Sequence, residues 1–349
     1  MPGPRSFREL RLVNGSTGDP ALFVDDPGRD NAILIDCGEN AALGNDRLAD
    51  LEAVFLTHHH VDHFIGFDRI VRANLDRDKA LHVYGPAGTI GKVYNRIKSY
   101  EYPFFPFQKI VVEVHEVLPG RLLSARLECS RRFPRPIVAE APWAGRVVYR
   151  ADGLSVEAAF VDHTVPCLAF ALVEEPGIYP DTGRLAAGPL HAGRWVNEVQ
   201  TLVRAGAAPE TAVSVSPSGT TLPLGELKAQ YFVEATGSRI TYVTDTAWSE
   251  QVRPALLQLA GGARRLYCDS FYAEDQSAQA EKHHHMTATR AALFAREAGV
   301  DELVLIHFAS RYKGRYEALV DEARAIFPNT TAEIPPAVDK NSEQDANHS

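Results

Sequence analysis

The stretch that decides the fold is Thr57-His58-His59-His60-Val61-Asp62-His63, which follows the short apolar run Ala-Val-Phe-Leu at 53–56. In an extended chain alternate side chains share a face, so His58, His60 and Asp62 are predicted to point the same way. His63 is predicted to lie in a turn into a helix that begins near Phe64. Imidazole suits zinc and a carboxylate adds charge and a base, so this pattern favours a metal site over a solvated polar loop.

Three more polar residues stand close behind apolar, β-branched runs: His163, Asp245 and His307. A lone histidine at a strand end is more often structural than functional. The repeated placement matters because sites in α/β proteins gather at one end of the strands. Together with the 58–63 motif, these residues provide enough ligands for two metal ions.

Composition limits the class of protein. The 349 residues are 45% hydrophobic, but no apolar run approaches the roughly 20 residues of a membrane span. The first ten residues contain no apolar core of a secretory signal, and the four cysteines form no CxxC pair, which predicts a reduced, cytoplasmic setting. The net charge of −9 lowers the expectation of nucleic-acid binding without excluding it, since bound dications and a local basic patch can coexist with an acidic total.

Strand and helix patterns alternate along the chain, which predicts the α/β class. Strands are predicted at 32–35, 53–56, 81–84, 110–112, 168–173, 240–243 and 303–306, and helices at 249–259, 287–298 and 316–327. We expect one domain over residues 1–334. Residues 174–226, rich in Gly, Pro, Ala and Thr with one amphipathic piece at 195–203, are interpreted as an inserted arm. The polar end, 335–349, is predicted to be disordered.

Several motifs, in this order along the chain, resemble one known family. They are Leu34-Ile-Asp-Cys-Gly-Glu39, the 58–63 motif with Gly66-Phe67, Tyr84-Gly-Pro-Ala-Gly88, Asp162-His163-Thr-Val-Pro166, Tyr242-Val-Thr-Asp-Thr246, Asp269-Ser-Phe271, His285-Met-Thr287 and His307-Phe-Ala-Ser-Arg-Tyr312. His-x-His-x-Asp-His after an apolar strand resembles the signature of the metallo-β-lactamase fold. The later motifs resemble its ribonuclease Z branch, endonucleases that trim the 3′ end of precursor tRNA. The resemblance implies an αββα four-layer sandwich with an inserted arm.

The resemblance also implies roles for individual residues. It places two ions, zinc or alternatively manganese, in a site whose ligands are His58, His60 and His163 for one ion, Asp62, His63 and His307 for the other, and Asp245 as the bridge. Asp62 is similar to the family's proton acceptor, and His285 to the histidine that assists the departing oxygen. Asp269 stands where the family has a glutamate. Aspartate is one methylene shorter, so we expect its contact with His285 to be longer or water-bridged.

Three neighbouring histidines are expected to lack such roles. We expect His283 and His284 to be solvated, because three consecutive histidines cannot all face one site. The side chain of His59 should point away from the metals, since it alternates with His58 and His60.

The resemblance implies precursor tRNA as the substrate and a homodimer as the assembly. The family binds tRNA with a basic, flexible arm, whereas residues 174–226 carry three arginines and no lysine. An alternative is therefore a hydrolase of a small phosphodiester, such as a cyclic nucleotide, or of a lactone. It would share every metal ligand and have no use for the arm. A binding module without catalysis is disfavoured, because all seven ligand positions and the His285 position are filled.

Overall fold

Two large β-sheets organise the residues that the computed structural model describes, which are 9–25, 32–151, 153–216 and 219–334. In chain order the first sheet contains β1 (Glu9–Leu12), β2 (Leu22–Asp25), β3 (Ala32–Ile35), β4 (Leu51–Phe55), β5 (Ala80–Gly85), β6 (Val111–Leu118), β7 (Arg121–Glu128) and β8 (Val138–Pro142). The second contains, in spatial order, β19 (Thr330–Thr331), β18 (Leu303–Ile306), β17 (Arg265–Asp269), β16 (Arg239–Val243), β11 (Cys167–Glu174), β10 (Leu154–Val161) and β9 (Val147–Ala151).

Both sheets are mixed. Strands β3 to β6 and β16 to β19 pair in parallel, and the other neighbours pair antiparallel. The parallel strands of each sheet therefore end at a common edge, and the metal-binding motifs follow those ends.

Helices cover the outer face of each sheet. Those on the first sheet are α1 (Asn45–Ala49), α2 (Val61–Phe64), α3 (Phe67–Ala73) and α4 (Thr89–Lys98), and those on the second side are α8 (Arg253–Ala260), α9 (Ser277–His283), α10 (Ala288–Ala298) and α11 (Glu317–Arg324). In β3, Ile33 and Ile35 face the core between the sheets, whereas Ala32 and Leu34 face the helices. A strand covered on both faces must be apolar throughout, which explains its unbroken apolar run. The predicted α/β sandwich is confirmed.

Residues 177–235 build a separate small unit between β11 and β16. It contains β12 (Gly177–Pro180), α5 (Thr182–Ala187), α6 (Arg194–Arg204), β13 (Ala212–Ser214), β14 (Thr221–Pro223), α7 (Leu224–Tyr231) and β15 (Phe232–Ala235). Trp195, Val199 and Leu227 belong to its own buried cluster. Gly177 pairs with Ala235, so the chain enters and leaves this unit at neighbouring positions. We call residues 177–235 the arm unit.

Several boundaries differ from the sequence predictions. The folded arm spans 177–235 instead of 174–226, strand β6 extends to Leu118 instead of 112, and helix α11 ends at Arg324 instead of 327. Two helices also begin at other residues than predicted. Helix α2 begins at Val61, not near Phe64, because His60 already has extended N-cap geometry and Asp62 lies in the first helical turn. Helix α8 begins at Arg253, with Pro254 in the first turn, rather than at 249. The predicted disordered tail, 335–349, lies outside the described residues. Among the described helices, none has both the length and the apolar character to cross a membrane.

The loop after β3 packs backbone against backbone on the start of α2. Cys37 N donates to His63 O over 2.9 Å, and Gly66 N donates to Cys37 O over 2.8 Å. A Cβ atom added at Gly38 would lie 2.3 Å from Asp62 O. Only glycine permits this approach, so the loop and the metal-binding motif are positioned together.

We predict that Gly38→Ala destabilises the fold by about 1–3 kcal/mol or more, because a backbone oxygen cannot move aside as a side chain can. Urea unfolding of the metal-loaded protein measures this. The control is Gly91→Ala in α4, where an added Cβ meets no atom within 4 Å. The free energy of unfolding of that variant should rise by about 0.5–1 kcal/mol, because alanine has a higher helix propensity than glycine. A Gly38→Ala protein as stable as the unaltered protein would refute the packing argument.

Candidate metal centre

Side chains at the ends of the strands converge on one buried centre. Three groups have ligand atoms within 4.8 Å of one another: His58, His60, His163 and Asp245; Asp62, His63 and His307; and Asp245, His285 and His307. The first two contain the seven predicted ligands, and we call them the ligand groups. Asp245 lies between these two, with Oδ2 3.5 Å from His58 Nε2 and Oδ1 3.4 Å from His63 Nε2. The structure thus brings all seven predicted ligand residues together.

The buried ring nitrogens test whether this donor set fits a metal. The Nε2 atoms of His58 and His63 are buried and have no hydrogen-bond partner among the described residues. Their opposite nitrogens are occupied: His58 Nδ1 lies 3.1 Å from Thr57 Oγ1, and His63 Nδ1 lies 2.8 Å from Asp36 Oδ2. A ring fixed at one nitrogen and unpaired at the other is the usual arrangement of a histidine metal ligand. The residues therefore fit divalent cations.

His58 and His63 differ in the direction in which their surroundings shift the pKa. Burial, followed by the charge of His63, lowers the pKa of His58 to about 2, so its ring remains neutral. Burial also opposes protonation of His63, but Asp245 and Asp36 outweigh it and raise its pKa to about 10. A proton on His63 therefore competes with a cation for Nε2.

Backbone geometry aims several of these side chains. Asp36, Asp245 and His307 follow the ends of β3, β16 and β18 with φ angles of 57°, 41° and 62°. Left-handed backbone at non-glycine residues costs about 1–3 kcal/mol each and occurs where surrounding structure imposes it. Here it turns the chain at the strand ends, next to the ligands. Nothing in the amino-acid sequence indicated that these three residues adopt a left-handed backbone conformation.

Asp36 is a functional residue that reasoning from residue types missed. It is fully buried, faces His63, and accepts hydrogen bonds from Thr57 N at 2.7 Å and Thr57 Oγ1 at 2.8 Å. In the sequence it is part of the motif Leu34-Ile-Asp-Cys-Gly-Glu39, which resembles the family without assigning Asp36 a role. The available indication was its place directly after the apolar run 32–35, the same placement as the predicted ligands.

Of the two neighbours that we expected to be solvated, His283 is exposed as predicted, whereas His284 is only partly exposed and contributes to the site. His284 Nδ1 lies 3.0 Å from Asp162 Oδ1, and the His284 carbonyl accepts a hydrogen bond from His163 Nδ1 at 3.2 Å. His283 Nδ1 lies 2.6 Å from the Tyr272 hydroxyl. Because His284 has a left-handed φ of 56°, its carbonyl turns toward the centre and fixes a ligand ring through the backbone.

His59 was expected to point away from the metals, and its side chain faces α4. Its Nε2 lies 3.0 Å from Thr89 Oγ1, and its ring contacts Phe64 edge-on at 5.8 Å. His60, by contrast, has Nδ1 3.4 Å from His163 Nε2, inside the first ligand group. Asp62 reaches the second group from the first turn of α2, not from the extended chain that alternation predicted.

His285 lies beside both ligand groups. Its ring centroid is 5.5 Å from those of His163 and His307. His285 Nδ1 contacts Asp269 Oδ2 directly at 2.9 Å, so the expected longer or water-bridged contact is wrong. The shorter side chain of Asp269 reaches His285 because it also accepts a hydrogen bond from Met286 N at 3.0 Å. This bond holds the 285–286 backbone close to the end of β17.

Asp269 and His285 shift each other's ionisation. Burial opposes charge on both groups. The charge of His285 nevertheless lowers the pKa of Asp269, and the charge of Asp269 raises the pKa of His285. Phe271 stacks on the His285 ring at 4.4 Å. The pair is therefore an oriented histidine whose Nδ1 is occupied and whose protonated form Asp269 favours.

Comparisons with known proteins agree with this geometry. The beta-lactamase superfamily domain model matches residues 31–156 and 195–308. Ribonuclease Z of Deinococcus radiodurans is 30% identical, over 91% of this chain and 95% of its own, and that of a Synechococcus strain is 31% identical, over 92% and 94%. In fold, the chain is similar to the metallo-beta-lactamase fold protein YhfI of Bacillus subtilis (TM-score 0.53, 15% identity, 92% and 93% covered). It is also similar to the short form of human tRNase Z (0.50, 15%, 88% and 93%).

We predict that Asp36→Ala weakens metal binding by about 10–100-fold, because His63 loses the contact that fixes its ring. Competition with a chelator measures the affinity. The control is Asp68→Ala, which removes a carboxylate bonded to Arg96 and Tyr100 instead of to a ligand histidine. Asp36→Asn preserves side-chain volume and should shift affinity in the same direction, which separates the effect from misfolding. Equal metal affinity in the Asp36 and Asp68 variants would contradict this role.

Proposed function

The chain belongs to the ribonuclease Z family of the beta-lactamase superfamily, and from this membership we propose that it is a metal-dependent endoribonuclease that removes the 3′ trailer of precursor tRNA. The observation that carries the proposal is the Asp269-oriented His285 ring, whose centroid lies 5.5 Å from those of His163 in one ligand group and His307 in the other. Two metal positions plus a separate proton donor suit cleavage of a phosphodiester whose leaving oxygen needs a proton.

We propose two zinc ions, with manganese as the alternative. Histidine-rich sites with carboxylates suit zinc best. His58, His60 and His163 would hold one ion, Asp62, His63 and His307 the other, and Asp245 would contact both. Bound divalent ions supply Lewis acidity toward the phosphate and lower the pKa of water toward neutrality.

The chain's own groups handle the protons. Burial alone would raise the pKa of Asp62, but the hydrogen bond with His307 and the charges of His63 and His307 together outweigh it and lower the pKa to about 2. Asp62 is therefore an ionised, partly exposed carboxylate at neutral pH, and we assign it as the proton acceptor. His285, whose pKa Asp269 raises, would give its proton to the departing 3′ oxygen.

We propose that the arm unit contacts the tRNA body. It is a folded extension with its own core, apart from the centre. Residues 177–235 contain five acidic side chains and four basic ones. Phosphate neutralisation by Lys and Arg produces the salt dependence of binding, so this composition predicts a shallow slope. Family membership also favours a homodimer, which the molar mass from light scattering would test.

We predict that His285→Ala slows cleavage of precursor tRNA by about 10²–10⁴-fold, the usual value of general acid catalysis. Bis(p-nitrophenyl) phosphate, whose leaving group needs no proton, should lose far less activity. Elemental analysis should find two ions per chain in this variant and in the unaltered protein. His283→Ala, two positions away and bonded to Tyr272, is the matched control. If both substrates slow equally, His285 orients substrate instead of protonating the leaving oxygen.

Excision of the arm unit tests substrate identity. The pairing of Gly177 with Ala235 allows residues 177–235 to be replaced by a short Gly-Ser linker. We predict that cleavage of precursor tRNA falls about a hundredfold, because remote contacts position the reacting bond, while metal content and hydrolysis of the small diester persist.

Two outcomes would overturn parts of this proposal. Undiminished tRNA cleavage after excision would remove the arm unit from recognition. If the intact protein cuts no precursor tRNA but turns over a cyclic nucleotide or a lactone rapidly, the tRNA assignment is wrong. In that case only the two-metal hydrolase assignment would stand.

A further inference from the structure

Asp162 lies where three segments of the centre meet. It directly precedes the ligand His163 at the end of β10. Its backbone N–H donates to Thr246 Oγ1 over 3.2 Å, and its carbonyl accepts a hydrogen bond from Ala247 N at 2.9 Å. Both partners follow the bridging Asp245 directly in the sequence. These contacts hold the end of β10 beside the end of β16.

The side chain of Asp162 contacts the third segment, which follows α9. Its Oδ1 lies 3.0 Å from His284 Nδ1. An ionised carboxylate only accepts hydrogen bonds, so His284 Nδ1 donates in this contact. The next residue along the chain is His285, the proton donor of the proposed mechanism. Asp162 therefore connects the segment of a metal ligand to the segment of the donor.

His284 has a backbone conformation that glycine usually adopts at the end of a helix. It ends α9 with φ 56° and ψ 49°. This left-handed region is unfavourable for any residue that has a Cβ atom. His284 therefore needs a contact that holds it there. Among the described residues, the polar contact of its side chain is the one with Asp162.

The conformation of His284 fixes the tautomer of a ligand. Its carbonyl lies 3.2 Å from His163 Nδ1, and because a carbonyl only accepts, this Nδ1 carries the proton. The lone pair is then on His163 Nε2, which lies 3.7 Å from Asp245 Oδ2 and 3.4 Å from His60 Nδ1. A proton fixed on the far nitrogen is what a metal-binding imidazole requires.

We propose that Asp162 is a positioning residue that acts through the side chain of His284. The contact holds the His284 carbonyl on His163, and it holds the following residue, His285, at its distance from the ligand groups. The part that concerns His163 rests on the metal site alone, and the part that concerns His285 rests on the proposed function. The side chains of Asp162 and His284 are 30% and 35% exposed, so exchanging either opens no cavity in the core.

A double-mutant cycle of Asp162→Ala and His284→Ala tests this connection. Each single substitution should weaken the binding of one Zn²⁺ ion about tenfold, the lower end of the usual effect of groups that orient a ligand. The double variant should lose no more than either single variant, because both substitutions remove the same contact. Competition with a chelator measures the affinities.

His284→Gly separates the backbone conformation from the imidazole. Glycine adopts a positive φ without steric cost, so the carbonyl can remain on His163 without the contact to Asp162. This variant should recover most of the zinc affinity that His284→Ala loses, and adding Asp162→Ala to it should have no further effect. Asp162→Asn retains an acceptor oxygen and similar volume, so its zinc affinity should lie between those of Asp162→Ala and the unaltered protein.

Rates at saturating zinc report on the proton donor. Cleavage of precursor tRNA should fall about tenfold in Asp162→Ala, a fraction of the full value of general acid catalysis. Hydrolysis of bis(p-nitrophenyl) phosphate, whose leaving group needs no proton, should change little. Two controls come from α9: His283→Ala removes the neighbouring imidazole, and Glu281→Gln removes a carboxylate bonded to Arg290. Both should leave zinc affinity and both rates unchanged.

Three results would overturn this role. A double variant that loses the product of the two single effects, about a hundredfold, would show that Asp162 and His284 act independently. Equal zinc affinity in His284→Gly and His284→Ala would show that the left-handed backbone does not orient His163. Unchanged zinc affinity with slower tRNA cleavage would make His284 a substrate contact in place of a support for a ligand.

Failure of the proposed function has a different signature. If the intact protein cleaves no precursor tRNA, that function is wrong, and the assignment of His285 as donor falls with it. The zinc affinities of the Asp162 and His284 variants then decide by themselves whether Asp162 positions His163.

Discussion

The buried carboxylate of Asp245 is the constraint on which the rest of the structure depends. Its two oxygens face different ligand groups, at 3.5 Å from His58 Nε2 and 3.4 Å from His63 Nε2. A lone buried carboxylate would be strongly unfavourable, so it requires cationic partners on both sides. Burial opposes its ionisation, but His307 and His63 lower its pKa well below the usual range. The sandwich meets this requirement by bringing the end of β4, in the first sheet, and the end of β18, in the second sheet, close to the end of β16.

Positions around that carboxylate are fixed by contacts that alternate between side chain and backbone. Asp36 fixes His63 with a carboxylate, whereas His284 fixes His163 with its main-chain carbonyl. Asp269 supports both the proton donor and a ligand, since its Oδ2 contacts His285 Nδ1 and its Oδ1 lies 3.6 Å from His307 Nδ1. The proton donor and the ligand groups thus share supports, so a change in one is transmitted to the other. Because these groups face each other, the pKa of Asp269 is lowered while the pKa values of His285 and His307 are raised, although burial opposes charge on all three.

Much of the fold could be predicted from sequence because strands covered on both faces are apolar throughout. The run 32–35 became β3 with the predicted bounds, and 303–306 became β18. Strand β8 was missed, since all five of its residues are exposed and no apolar pattern marks it. The seven ligand positions were predictable from residue type and placement. Asp36 and the carbonyl of His284 were not, because the first resembles any acid near a strand and the second depends on a left-handed backbone.

The arm unit and the metal centre occupy different parts of the fold. The arm unit has its own core, and residues 177–235 carry nearly equal numbers of acidic and basic side chains. If the arm unit contacts the tRNA body, as we propose, that contact would depend on shape more than on charge. The net charge of −9 likewise provides little long-range attraction for a polyanion, so binding would depend on local contacts.

The contact between Asp62 and His307 joins residues that are 245 positions apart in the chain. During synthesis on the ribosome, neither ligand group is complete until most of the polypeptide has emerged, because one needs Asp245 and the other needs His307. Until then the nascent chain presents the 58–63 histidines as an open chelate of low selectivity, because neither sheet has closed over them. Selectivity among cations is consequently established late in folding. It requires the ligand geometry that forms when the second sheet closes over the first.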